Sequence, residues 1–464
     1  MFKKNILILL LIFILPIFLF TENSKITFYG LYESIFDTTH KTDYYTKKYQ
    51  AFSWGLNNYL NLRMKADINQ YLTFGMAINI NMFAGNYTDN YRTYFAQMSS
   101  SIIDPLTSML ESDYLFSIPF YYKNTYIGSF DLERLYFKVG YNFFDIETGL
   151  IRIAKGYGYF FSPTDFFNPQ DPLNPNARPE GKLSLLTTFY PRDLWKIDIF
   201  AVAPDNPVKS DGWDFKFGTS TEFNVDKFNF QLLYTLFLPQ MDYQKDQEDE
   251  GVPLYINNDF SHVLGFSMKA DVEIGLIIDM IYRIDQRAIR EKSYYGKEYY
   301  LYRGLEFAIG ADYTIQVPQT QSSIYFLLEY MFYGSGMLDW DDKDLDDLYT
   351  SEWKDVSPIQ RSSLLKPERK PLNFLRHDYL YGLIRYTVNT YITLGTSYLF
   401  GIDDQSGLLS LIIDIEPFQA FTINITATYP FAWEMIDYKY YRGEFGSTNV
   451  GYYQNYKFSF KMKF

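Results

Sequence analysis

The chain ends on Tyr456-Lys-Phe-Ser-Phe-Lys-Met-Lys-Phe464. Tyr456, Phe458, Phe460, Met462 and Phe464 alternate with Lys457, Ser459, Lys461 and Lys463. Strand side chains point alternately to opposite faces. As a strand, this stretch carries one aromatic, apolar face and one cationic face. A soluble sandwich strand alternates in the same way but rarely ends a protein on its most apolar residue.

Period-two segments recur along the chain. Eighteen are readable: about 25–37, 53–68, 71–83, 128–140, 143–154, 182–190, 194–203, 212–224, 227–238, 261–273, 274–285, 303–315, 322–333, 377–388, 391–401, 406–416, 418–429 and 450–464. In 60–68, Leu60, Leu62, Met64, Ala66 and Ile68 oppose Asn61, Arg63, Lys65 and Asp67. Segments 25–37 and 143–154 are less regular, which suggests a β-bulge in each. Joins after even-numbered segments are short, such as Asn69-Gln70, Tyr141-Asn142 and Val225-Asp226. Joins after odd-numbered segments are mostly long: 38–52, 84–127, 155–181, 204–211, 239–260, 286–302, 334–376 and 430–449, with only 402–405 brief. This alternation predicts an all-β chain folded as a transmembrane antiparallel up-and-down β-barrel. About 18 strands are expected, or 16 if one hairpin is misread. A barrel of that size encloses an aqueous channel.

Composition agrees. Aromatics make up 20% of 464 residues, with 45 Tyr and 42 Phe against 6 Trp. Tyr and Phe suit strands, and Tyr suits a membrane–water boundary. Tyr pairs such as Tyr121-Tyr122, Tyr294-Tyr295 and Tyr440-Tyr441 fall where strands meet long loops, as an outer aromatic girdle or as loop packing. The absence of Cys excludes disulfides and thiol chemistry. A net charge of −13 argues against a nucleic-acid partner. Lys3 and Lys4 precede the apolar run Asn5–Phe20, so residues 1–21 read as a secretory signal cleaved near Phe20–Ser24, with an uncleaved anchor as the alternative. Past residue 24 no apolar run approaches the roughly 20 residues of a membrane helix. Residues 22–464 then form one barrel domain exported to the outer membrane, with its lipid as the surrounding partner.

The segment 155–181 is unlike the other joins. Pro163, Pro169, Pro172, Pro175 and Pro179 stiffen it, because each fixes φ and restricts the residue before it. Tyr157, Tyr159, Phe160, Phe161, Phe166 and Phe167 need a surface to pack on. Such a loop suits the barrel mouth better than open solvent. The terminal strand, the signal, the loop alternation and this loop together resemble a bacterial porin. The run Ser162-Pro-Thr-Asp-Phe-Phe-Asn-Pro-Gln-Asp-Pro172 resembles a loop signature of poorly characterised porin-like proteins from Gram-negative and spirochaete lineages. In porins the loop between the fifth and sixth strands folds inward and narrows the channel, so the resemblance implies a constriction loop at 155–181. Its ionisable groups are Asp165, Asp171 and Glu180 with Arg178 opposing, without the acidic cluster of well-known constrictions. The alternative is an external cap. The resemblance also implies recognition of Tyr456–Phe464 by the outer-membrane insertion machinery. It leaves a homotrimer open, and no interface is readable.

With apolar residues turned to lipid, Arg63, Lys65, Arg134, Lys138, Lys457, Lys461 and Lys463 form a candidate basic wall of the lumen. Asp271, Asp279, Glu306, Asp312 and Glu329 form a candidate acidic wall roughly opposite. Opposed walls either set up a transverse field or simply keep the channel wet. Asp246-Gln-Glu-Asp-Glu250 and the acidic run 339–347 lack the EF-hand pattern and read as solvated surface. Asp104-Pro105 begins a short capped helix. The three His, at 40, 262 and 377, belong to no catalytic motif, and no nucleotide or metalloprotease signature is present. The reading is a passive porin for small hydrophilic solutes or ions, without catalytic residues, metal or cofactor. The runner-up is a surface-exposed adhesin or structural barrel that binds partners through its loops.

Overall fold

The computed structural model describes residues 25–42, 49–85, 117–122, 126–168, 181–204, 215–238, 261–284, 304–318, 320–334, 377–403, 405–432 and 454–464. The signal, the capped helix, the acidic runs and the side chains of the Tyr pairs lie outside the described residues or side chains. The described elements are strands: β1 (Lys25–Thr42), β2 (Tyr49–Asp67), β3 (Leu72–Gly85), β4 (Ser117–Tyr122), β5 (Tyr126–Tyr141), β6 (Phe144–Ile151), β7 (Lys182–Arg192), β8 (Trp195–Val202), β9 (Lys216–Val225), β10 (Phe228–Phe237), β11 (Ser261–Asp271), β12 (Gly275–Ile284), β13 (Leu305–Gln316), β14 (Ser323–Tyr333), β15 (Asp378–Asn389), β16 (Ile392–Gly401), β17 (Ser406–Phe418), β18 (Phe421–Ala432) and β19 (Gln454–Lys463).

Eighteen of them form a closed antiparallel wall. Each pairs with the next, β3 pairs directly with β5, and β19 returns to β1. The wall matches the eighteen segments read from the sequence. β1 runs to Thr42 and β2 starts at Tyr49, so that join is shorter than the pattern suggested. The bulges expected in 25–37 and 143–154 are not where the register slips. The ladder breaks instead between Ala77 and Ile78 of β3, opposite an extra residue, Glu133, in β5. Other irregularities fall at strand ends.

β4 is the accessory strand. β5 pairs with β6 only from Leu135 to Tyr141, because the chain leaves the wall after Ile151. β4 pairs with Tyr126–Asp131, the stretch of β5 beyond the reach of β6. An uncovered row of backbone groups is thereby partly paired.

Alternation places two kinds of side chain on the two faces. On β12, Leu276, Met280, Tyr282 and Ile284 are exposed, while Ile277, Asp279 and Ile281 are at most 1% exposed on the other face. The exposed apolar positions recur on strand after strand, including Phe217, Leu232, Leu264, Ile309, Leu328, Ile384, Leu411 and Phe458. That is the lipid-facing exterior of a membrane barrel, in which pairing within the closed sheet supplies the backbone partners that lipid cannot.

The terminal stretch closes the seam. Phe464 donates its backbone N–H to the Gly30 carbonyl and accepts the N–H of Gly30. Its ring sits against Gly30, where a Cβ would come within 2.5 Å of the ring. Deleting Phe464, or the substitution Gly30→Leu, should therefore weaken the seam by roughly 2–4 kcal/mol, from two hydrogen bonds and one aromatic ring. The expected result is a lower midpoint for the heat-induced mobility shift of the folded barrel in detergent gels. An unchanged midpoint in both variants would show that the seam does not depend on this contact.

Candidate functional site

After Ile151 the chain turns into the barrel, and residues 152–168 lie against the inner faces of β8 to β17. The turn inward rests on Gly156, whose φ is +87°. A Cβ there would sit 2.2 Å from Thr164 Oγ1 and 2.3 Å from Asp279 Oδ2, so only glycine fits.

Six wall strands, β8 to β12 and β14, offer an acceptor or a hydroxyl. The Lys155 ammonium donates to Asp198 of β8 and to Ser220 of β9. The Gly156 N–H donates to Gln231 of β10 at 2.7 Å. Thr164 meets Ser267 of β11, and Ser162 Oγ donates to Asp279 of β12 at 2.7 Å. At the far end Glu329 of β14 accepts three successive backbone N–H groups, from Tyr159 (2.8 Å), Phe160 (2.7 Å) and Phe161 (3.1 Å). Hydrogen bonds to an ionised acceptor are the strong kind.

Apolar packing fixes the same segment at two points. Phe161 is fully buried among Ala308, Met331, Tyr333, Tyr379, Leu399 and Leu408. Phe160 stacks on Tyr381 with ring centroids 3.7 Å apart. Phe167 meets Phe200 edge-on at 5.0 Å, within a cluster that includes Ile151, Ile153 and Leu233. Tyr159 stays 46% exposed, with the Lys269 ammonium over its ring at 5.6 Å. Asp171, Arg178 and Glu180 lie outside the described residues.

The two charged walls differ in character. Asp279 and Glu329 are fully buried beneath the segment and serve as its anchors instead of lining open water. Glu306 is also buried. Asp312 lies over Gly275, and Asp271 pairs with Lys269 at 3.7 Å. On the basic side, Arg63 and Arg134 converge on buried Glu133, at 2.9 and 3.4 Å. Lys65 pairs with Asp67 and Lys138 with Asp145. Lys457, Lys461 and Lys463 stand opposite Asp37, Glu33 and Leu31 in the β19–β1 register.

Several anchoring residues were not singled out in the sequence: Lys155, Ser162, Asp198, Gln231, Ser267 and Glu133. Lys155 and Asp198 are 43 positions apart, and nothing in the spacing couples them. The Lys–Gly–Tyr–Gly opening of the loop was the one available signal, since paired glycines mark a close backbone approach.

Burial pulls the Lys155 ammonium below its ordinary value, and Asp198 opposes that shift. Burial also pushes the Asp165 carboxyl up to about 7, with Arg152 and the Lys155 N–H opposing. Raised in the folded state, this carboxyl favours folding most when protonated. Its contribution is therefore greatest below the unfolded pKa of 3.8 and declines as pH rises towards 7. The thermal midpoint should fall between about pH 4 and 7, and Asp165→Asn should flatten that slope; equal slopes would contradict the linkage. Lys155→Met leaves the buried Asp198 without its buried partner and should cost roughly 3–5 kcal/mol, read as faster proteolysis of the 152–168 segment.

No family model matches the chain, and no curated protein matches its sequence. Solved structures with a similar outline include OccAB4 of Acinetobacter baumannii, with 10% identity, 94% of this chain and 97% of that chain covered, and a TM-score of 0.46. OccK9 (OpdG) of Pseudomonas aeruginosa gives 10% identity, 96% and 98% coverage, and a TM-score of 0.49. Wzi of Escherichia coli, an outer-membrane protein involved in group 1 capsule assembly and a carbohydrate-binding β-barrel, gives 11%, 94% and 84%, and 0.48. At such identities no residue role carries across. The barrel assignment rests on this chain's own pairing and on its apolar exterior.

Proposed function

We propose that this chain is an outer-membrane channel for passive diffusion of small hydrophilic solutes or ions. The observation that carries the reading is a closed wall of eighteen strands whose lipid-facing side is apolar and whose inner side is rich in charged and amide side chains. Side chains do not fill a barrel of this strand number, and a polar lining keeps its space wet. Residues 152–168 act as the constriction. They are stiffened by proline and fastened along the wall, so they narrow the path as a fixed shelf.

The remaining parts follow from the same reading. The N-terminal signal exports the chain, and Tyr456–Phe464 serves both as lipid contact and as the strand recognised by the insertion machinery. The test is planar-bilayer recording of the purified chain. Discrete conductance steps are expected, and deletion of residues 160–176 should enlarge them. A silent bilayer from folded protein would overturn the channel reading and favour a barrel that works through its external loops.

A further inference from the structure

An ion pair on a channel wall is a dipole, and its orientation decides which sign of charge a passing solute meets. Nine ion pairs join described residues, and all lie on the inner face or on the docked segment. In seven of them the cation is the more exposed partner. Arg63 is 24% exposed over a Glu133 carboxylate at 0%, and Lys196 is 39% exposed over Asp198 at 3%. Lys155–Asp198 is buried at both ends, and Lys269–Asp271 alone is reversed.

Burial of single groups agrees. Among the described residues eight carboxylates are buried against one lysine. Short carboxylates stay near the backbone, where they accept N–H and hydroxyl bonds, as Glu329 and Asp279 do. Long Lys and Arg stems reach past them and keep their heads in water. Two further sets of cations face the lumen: Lys461 and Lys463 on β19, and exposed Arg385 on β15.

We infer that the wetted lumen presents the positive ends of oriented ion pairs, and that the channel passes small anions in preference to cations although the chain carries a net charge of −13. This rests on the channel reading above. Carboxylates paired or saturated at the wall repel an anion little, while the ammonium and guanidinium heads contact it directly.

The test is the reversal potential of the full chain in a planar bilayer under an asymmetric KCl gradient. A lumen potential of roughly half a kT per unit charge enriches chloride and depletes potassium by the same factor, giving a chloride-to-potassium permeability ratio of about 3. The double substitution Lys461→Glu and Lys463→Glu should lower that ratio below unity with conductance retained. Arg385→Gln, on a different strand, should lower it by a smaller factor if the double variant fails to assemble. A wild-type ratio at or below unity, or a ratio unmoved by these substitutions, overturns the inference and leaves the channel standing. Absence of conductance overturns the channel reading, and this inference falls with it.

Discussion

The structure depends on the backbone pairing of β19 with β1. In hydrocarbon an unpaired N–H or C=O has no water to turn to, so an open sheet edge is excluded. Ten residue pairs from Leu31–Lys463 to His40–Gln454 remove that edge and make the sheet a cylinder. The geometry of the wall follows from closure. Strand tilt and the inward or outward sense of each side chain are consequences of one continuous ladder. The Phe464 ring over Gly30 seals the same seam on its lipid side.

Within that cylinder the inner face does two jobs with one set of charges. Carboxylates of β8, β12 and β14 hold the 152–168 segment by accepting its ammonium, hydroxyl and backbone donors. Lysines and arginines nearby remain wet. A hydrogen-bonded carboxylate in a low-dielectric layer is strong when its donors are in place and costly when they are missing. The segment is thereby committed to a single placement along the wall, with apolar plugs at Phe161 and Phe167 supplying the non-directional share.

The cylinder was legible because its signal is repeated. Any one ten-residue alternation is weak, but eighteen of them with loop lengths sorted by parity leave little room for another fold. The inward turn was half legible. Proline and aromatic content showed that 155–181 needed a surface, but not which surface. The anchors come from six different strands, and Glu329 is about 170 positions from the N–H groups it accepts. Such partners become neighbours only once the register is set. The charged walls illustrate the same limit. Alternation gives the inward sense of Asp279 and Glu329 correctly, yet cannot show that another part of the chain will cover them. Glu133 escaped for a different reason: it is the extra residue of a bulge, and a period-two reading assigns such a residue to the wrong face.

The meeting of β4 with β5 has a consequence for how such barrels can be changed. When the chain departs after Ile151, the upper part of β5 loses its natural neighbour, and a piece of a different loop fills the vacancy. Two separate loops therefore meet on the same strand. A graft that carries the inward segment into another barrel, or a trim that shortens 86–125, would leave a slit in the wall at this point. A change to either loop has to be matched in the other.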